Sequence, residues 1–196
     1  MNVFKRVVSI FILALLISDN VNSQDLDEQS VYQLESDWQT VAGEQVKLNS
    51  LTGKVQVVAF VYTYCQHSCP VIMQRLKQIE KHLPATSKDQ VQFTLFTLDP
   101  ERDTVEQLKA FAKKDELDLK HWQLMRGDAD DILELAAVVG VKYKPMNNES
   151  KDIAHSNMIT VLDNQGVISH QVKGLGEQLS DAVAAISALT KQAPYK

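Results

Sequence analysis

Val57-Val-Ala-Phe-Val-Tyr-Thr-Tyr-Cys-Gln-His-Ser-Cys-Pro70 decides the reading of this chain, because it runs from an apolar strand directly into the only two cysteines present. Val57 to Tyr62 is continuously apolar, β-branched and aromatic, as in a central strand covered on both faces. Pro70 then opens a helical pattern, and proline at a first helical position sets Cys69 at or beside the N-cap. The unpaired N–H groups and positive dipole end of that helix stabilise a thiolate, so Cys69 is expected to be nucleophilic and a good metal ligand.

Working outward, Thr52-Gly53-Lys54 turns the chain into this strand. Before it, Ser30 to Trp38 and Val46 to Leu48 flank Gly43-Glu44 and alternate weakly, predicting an edge β-hairpin. After it, Ile72, Leu76, Ile79 and Leu83 repeat at helical spacing until Pro84 stops the helix. Val91 to Leu98 reads as a second strand. It ends in Asp99-Pro-Glu-Arg-Asp-Thr104, where Asp103 and Glu106 are expected to form a capping box for a helix carrying Val105, Leu108, Phe111 and Ala112. Asp99, Arg102 and Asp103 are accordingly read as turn and cap residues.

Trp122 to Met125 predicts a short strand, and Asp128 predicts the cap of a helix from Ala129 to Val139 that ends at Gly140. Lys142 to Ala154 is a polar loop long enough to be functional. Met158 to Leu162 and Val167 to Val172 are strands joined by a turn at Asp163 to Gly166, and Leu179, Val183, Ile186 and Leu189 mark a final helix. This order predicts an α/β, thioredoxin-like sandwich: a central mixed sheet with helices on both faces and an N-terminal β-hairpin extension. Both cysteines then sit at the carboxyl end of a central strand, where ligands gather in open α/β sheets.

Residues 1–23 read as a secretory signal, with Lys5 and Arg6 before an apolar run from Val7 to Ile17 and small residues near Ser23. That run is shorter than the roughly 20 residues a membrane span needs, so cleavage and a periplasmic location are expected, with a retained N-terminal anchor as the alternative. The expected organisation is a signal over 1–23, a flexible leader over 24–29, one domain over 30–192 and a tail over 193–196. A formal net charge of −5 offers no basic surface for nucleic acid. Composition sets no oligomeric state.

Two cysteines four residues apart close too short a loop to add much stability as a bridge, about 2 kcal/mol in the chain-entropy model. A chemical role is favoured: Cys65 and Cys69 can chelate one metal or form a redox-active disulfide pair. Two thiolates suit Cu(I), and an added imidazole makes a site that also holds Cu(II). Among the five histidines, His82 and His121 stand among charged residues and His170 lies on the late hairpin with no evident partner. His155 ends the polar loop at the carboxyl end of the sheet and faces the cysteines, although from spacing alone it is as readily structural as a ligand.

Four stretches together resemble the Sco/SenC family of thioredoxin-like copper-binding proteins. Tyr62-Thr-Tyr-Cys-Gln-His-Ser-Cys-Pro70 is similar to its Cys-x-x-x-Cys-Pro motif, Leu98-Asp-Pro-Glu-Arg-Asp-Thr104 to its Asp-Pro-x-Arg-Asp-Thr signature, and Ala154-His-Ser156 to the segment of its metal histidine. The hydrophobic strand Val55 to Val61, preceded by Gly53, is similar too. The resemblance implies a copper site formed by Cys65, Cys69 and His155. It also implies a role in delivering copper to, or maintaining the thiols of, the copper centre of cytochrome c oxidase. The implied partners are a copper-accepting oxidase subunit and a thioredoxin-like reductant or copper donor. His67 departs from the family pattern and is read as an exposed passenger ahead of a further ligand or a proton donor. The alternative function is a periplasmic thiol–disulfide oxidoreductase using the same cysteine pair. A thioredoxin-like peroxidase ranks third, and a purely structural or adaptor role last.

Overall fold

The expected N-terminal hairpin forms from β1 (Asp37–Thr40) and β2 (Gln45–Lys47), turning at Gly43, whose φ of +89° suits glycine. The structure, a computed structural model, describes residues 26–146 and 152–191. The signal (1–23) and tail (193–196) expectations therefore lie outside the described residues, while residues 26–29 of the expected leader make a turn closed by the Ser30 N–H on Asp27 O. The strand expected from Ser30 begins only at Asp37. Ser30 instead caps a short 3-10 turn at Val31–Gln33, its hydroxyl accepting from the Tyr32 N–H, which is the local bonding that draws serine out of strands.

The apolar run becomes β3 (Val55–Val61), with every residue buried, followed by α1 (Ser68–His82). Next come β4 (Val91–Thr97), α2 (Val105–Lys114), β5 (Trp122–Arg126) and α3 (Ala129–Val138). Asp128 caps α3 as expected, accepting from the N–H groups of Asp130 and Asp131, and Gly140 ends it with φ +75°. The polar stretch Lys142 to Ala154 is not simply a loop. It contains β6 (Tyr143–Pro145) and β7 (Ile153–His155), paired antiparallel as a separate two-stranded ribbon. The chain closes with β8 (Ile159–Leu162), β9 (Ile168–Val172) and α4 (Ser180–Leu189).

The main sheet runs β2-β1-β5-β4-β3-β8-β9, with β3 parallel to β4 and antiparallel to β8. On one face Phe93 stacks on Trp122 with centroids 4.6 Å apart, and Trp122 Nε1 donates to Glu80 of α1. α2 and α4 share that face: Lys77 of α1 donates to Asp115 O at the end of α2, and α4 contacts α1. On the other face Trp38 and Phe60 pack on Phe96, and Gln171 reaches the carbonyl of Val139 at the end of α3. Helices thus cover both faces of a mixed sheet, the predicted thioredoxin-like arrangement. Burying each large side chain of this core stabilises the fold by roughly 1.5–3 kcal/mol. Among the described residues no helix is long and apolar enough to cross a membrane.

Candidate metal centre

β3 delivers the chain to a tight loop in which the Cys65 N–H bonds back to Tyr62 O at 3.1 Å. α1 begins at Ser68, two residues earlier than the proline suggested, so Pro70 is the third helical residue. Proline is accommodated there because the N–H groups of the first turn have no intrahelical partner. Cys69 is therefore inside the first turn, 1 % exposed, while Cys65 lies in the loop and is partly exposed. The Cys69 N–H points at Cys65 Sγ, 3.3 Å away. The helix-end stabilisation expected for Cys69 thus falls on Cys65, whose sulfur takes the place of a capping oxygen.

The electrostatics follow from this geometry. Cys65 is drawn far below the ordinary thiol range, first by the hydrogen bond from the Cys69 thiol, then by His155 and by the N–H groups of Cys69 and His67, against the opposing effect of burial. Cys69 is pushed up, because Cys65 holds its proton and because it is buried. The reduced pair therefore carries its negative charge on Cys65.

His155 ends β7 and reaches back to the same place. Its Nε2 lies 3.9 Å from Cys69 Sγ and 3.4 Å from Ser68 Oγ, while Nδ1 lies 3.3 Å from the Ser156 carbonyl. Nε2–H donates to the Cys65 thiolate when no ion is bound, whereas a tautomer with its proton on Nδ1, donated to that carbonyl, would present the Nε2 lone pair to an ion. The ligand atoms of Cys65, Cys69 and His155 lie within 4.8 Å of one another, and among the described residues no other His, Cys, Asp or Glu group is so gathered. Two sulfurs and one imidazole nitrogen are a donor set for a soft ion, and the two thiols are also placed to oxidise to a disulfide.

The other histidines stay apart. His67 is exposed and makes no capping bond with its side chain. His82 bonds the carbonyl of Gln78 one turn back, and His121 sits between Asp118 and Asp89. His170 lies half-buried on β9.

Three supporting residues escaped the sequence reading. Asp103, fully buried, does not cap α2, since Thr104 accepts from Gln107 N–H in that role. Asp103 instead takes the Thr63 N–H and the hydroxyls of Thr63 and Thr97, tying the cysteine loop to β4. Burial pushes its carboxyl up despite these donors. Arg102 pairs with Asp99 as the turn reading implies, and its guanidinium also lies over the Tyr64 ring, 5.0 Å from the centroid. Tyr62, buried, takes the Ile153 N–H on its hydroxyl at 3.3 Å, and its pKa is raised to about 12 by burial and by Cys65.

The sequence model of the SCO1/SenC family matches residues 26–191. A SCO1 protein homolog of Bacillus subtilis is 28% identical over 139 residues, covering 70% of this chain and 72% of the relative. The copper-bound structure of ScoI from Bradyrhizobium japonicum superposes with a TM-score of 0.65 at 23% identity, over 79% of this chain and 96% of that one. BsSco, described as a member of the Sco family of cytochrome c oxidase assembly proteins and as having a disulfide switch, matches with a TM-score of 0.69 at 24% identity, over 87% and 100%.

Proposed function

Starting from the SCO1/SenC family, to which this chain belongs, we propose that it is an exported copper-binding protein that takes copper as cargo on Cys65, Cys69 and His155. Its task in this reading is to deliver copper to the copper centre of cytochrome c oxidase, or to keep that centre's thiols reduced, with an oxidase subunit as acceptor. The observation that carries the proposal is the convergence of two thiols and an imidazole, from the β3–α1 loop, the first turn of α1 and the end of β7, within 4.8 Å. Copper bound in the Bradyrhizobium relative and the assembly role described for BsSco support it. The basic and apolar residues at 5–17 support export to the periplasm.

The donor set fits the ion. Cys65 is the more readily ionised thiol, Cys69 loses its proton on binding, and the His155 Nε2 lone pair supplies the nitrogen that Cu(II) prefers. Anaerobic titration of the reduced protein tests this: one equivalent of Cu(I) and one of Cu(II) should bind, the latter with thiolate charge-transfer absorption. Cys65→Ala and Cys69→Ala should each abolish tight binding with circular dichroism unchanged. His155→Ala should weaken Cu(II) far more than Cu(I), which two thiolates satisfy alone. Stoichiometric Cu(I) in the double cysteine variant would sink the assignment.

Thiol–disulfide exchange is the second reading, and the division of labour between the two thiols favours it. Cys65 is the charged, partly exposed sulfur and Cys69 the protonated, buried one, the pairing of an attacking and a resolving thiol. In that reading His155→Ala slows disulfide reduction with no dependence on metal.

A further inference from the structure

We infer that Tyr62 is a positioning residue for the metal centre, its hydroxyl fixing the ribbon that carries His155 against the loop that carries Cys65. The inference rests on the copper reading above for its consequence, but its geometry is independent of any ion. His155 belongs to the β6–β7 ribbon, which is not hydrogen-bonded into the seven-stranded sheet. The sheet ladder that holds β3 against β8 therefore does not by itself set the distance from the imidazole to the sulfurs.

Tyr62 spans that gap. It follows β3 directly, is 3 % exposed, and its hydroxyl accepts the Ile153 N–H at 3.3 Å, two residues before His155 on the same strand. Within the ribbon, Met146 N–H bonds Asp152 O and Ser156 N–H bonds Lys142 O, so the ribbon's own bonds flank Ile153 and leave its N–H directed at the phenol. The Tyr62 carbonyl takes the Cys65 N–H at 3.1 Å, and the ring meets the His155 imidazole edge-on with centroids 6.0 Å apart. One residue thus holds the loop of the first sulfur through its carbonyl, and the strand of the nitrogen ligand and the imidazole through its side chain. A phenylalanine keeps the ring and loses only the bond to Ile153, which separates positioning from packing.

The test uses the full chain, reduced and anaerobic, with Cu(I) and Cu(II) as probes. Tyr62→Phe should lower Cu(II) affinity about 10-fold, the lower end of outer-shell effects on metal sites, while changing Cu(I) affinity by less than about twofold. Because the hydroxyl acts through His155, Tyr62→Phe should cost Cu(II) nothing further in a His155→Ala background. In the metal-free protein, hydrogen exchange at the Ile153 amide should accelerate while amides in the β3–β8 ladder keep their rates. Unchanged Cu(II) affinity in Tyr62→Phe, or a full loss that persists when His155 is already alanine, overturns the inference. A parent protein that takes up no copper instead defeats the copper reading, and the Ile153 exchange rate then decides the tether alone.

Discussion

Removing the Asp103 carboxylate should loosen the cysteine loop, and the hydrogen-bond inventory sets how much. The side chain receives three donors: the Thr63 amide at 3.1 Å and the hydroxyls of Thr63 and Thr97. In Asp103→Ala both hydroxyls can rotate toward other acceptors, but the Thr63 N–H is fixed by the backbone. One stranded buried donor costs about 1–3 kcal/mol, and losing the charge-assisted bonds raises the expected total to about 2–4 kcal/mol, part of it offset because an ionised carboxylate no longer has to be buried. Asp103→Asn keeps one acceptor oxygen for the Thr63 amide and should cost about 1 kcal/mol. Urea unfolding at neutral pH measures both. Burial holds the carboxyl above its usual value, so the folded state binds the proton more tightly than the unfolded chain does. Parent stability should therefore fall as pH rises from about 4 through the raised folded value, and Asp103→Asn should lack that slope. An Asp103→Ala protein within about 0.5 kcal/mol of the parent, the range of an ordinary surface change, would refute the reasoning.

Three further outcomes follow from the same geometry. Because Cys65 holds the charge and Cys69 the proton, iodoacetamide should modify Cys65 well below pH 7 and leave Cys69 nearly untouched, read by peptide mass analysis; equal labelling would contradict the assignment. Protein oxidised to a Cys65–Cys69 disulfide should take up no copper through those sulfurs until reduced, and equal loading of the two forms would defeat redox gating. Gly166→Ala should destabilise by more than about 1 kcal/mol in thermal unfolding, since φ is +87° and a Cβ there would lie 2.6 Å from Tyr32; an unchanged midpoint would mean that the turn repacks cheaply.

Sequence carried the main sheet well because its signals are local. The unbroken apolar run at Val57, the mostly apolar, β-branched and aromatic run at Val91, the Asp128 cap and the Gly140 stop each specify structure within a few residues, and each falls within two residues of its expected place. The misses are long-range. Asp103 and Thr104 are both competent caps, and what sends Asp103 inward is Thr63, forty residues earlier. Pro70 marks the first turn of a helix rather than its first residue, so it assigned the helix-end stabilisation to Cys69, and only the direction of the Cys69 N–H shows that Cys65 receives it. The β6–β7 ribbon has only three residues on each side, one of them a proline, too few to show alternation. Tyr62 reads as the last residue of an apolar strand, and nothing nearby hints that its hydroxyl has a partner at Ile153.

Eighty-six residues separate Cys69 from the imidazole it faces, whereas only four separate it from Cys65. The two thiols are neighbours from the moment the chain is made, and closing their short loop takes little entropy. The nitrogen has to come from across that whole separation, and contacts so distant in sequence are expected to form later than local ones. An incompletely folded chain therefore exposes a bare dithiol, open to oxidation or to capture of a monovalent ion, before it can offer three donors. In the proposed copper site, coordination number would then serve as a maturation clock: His155 would join the two thiols only once the sheet is built.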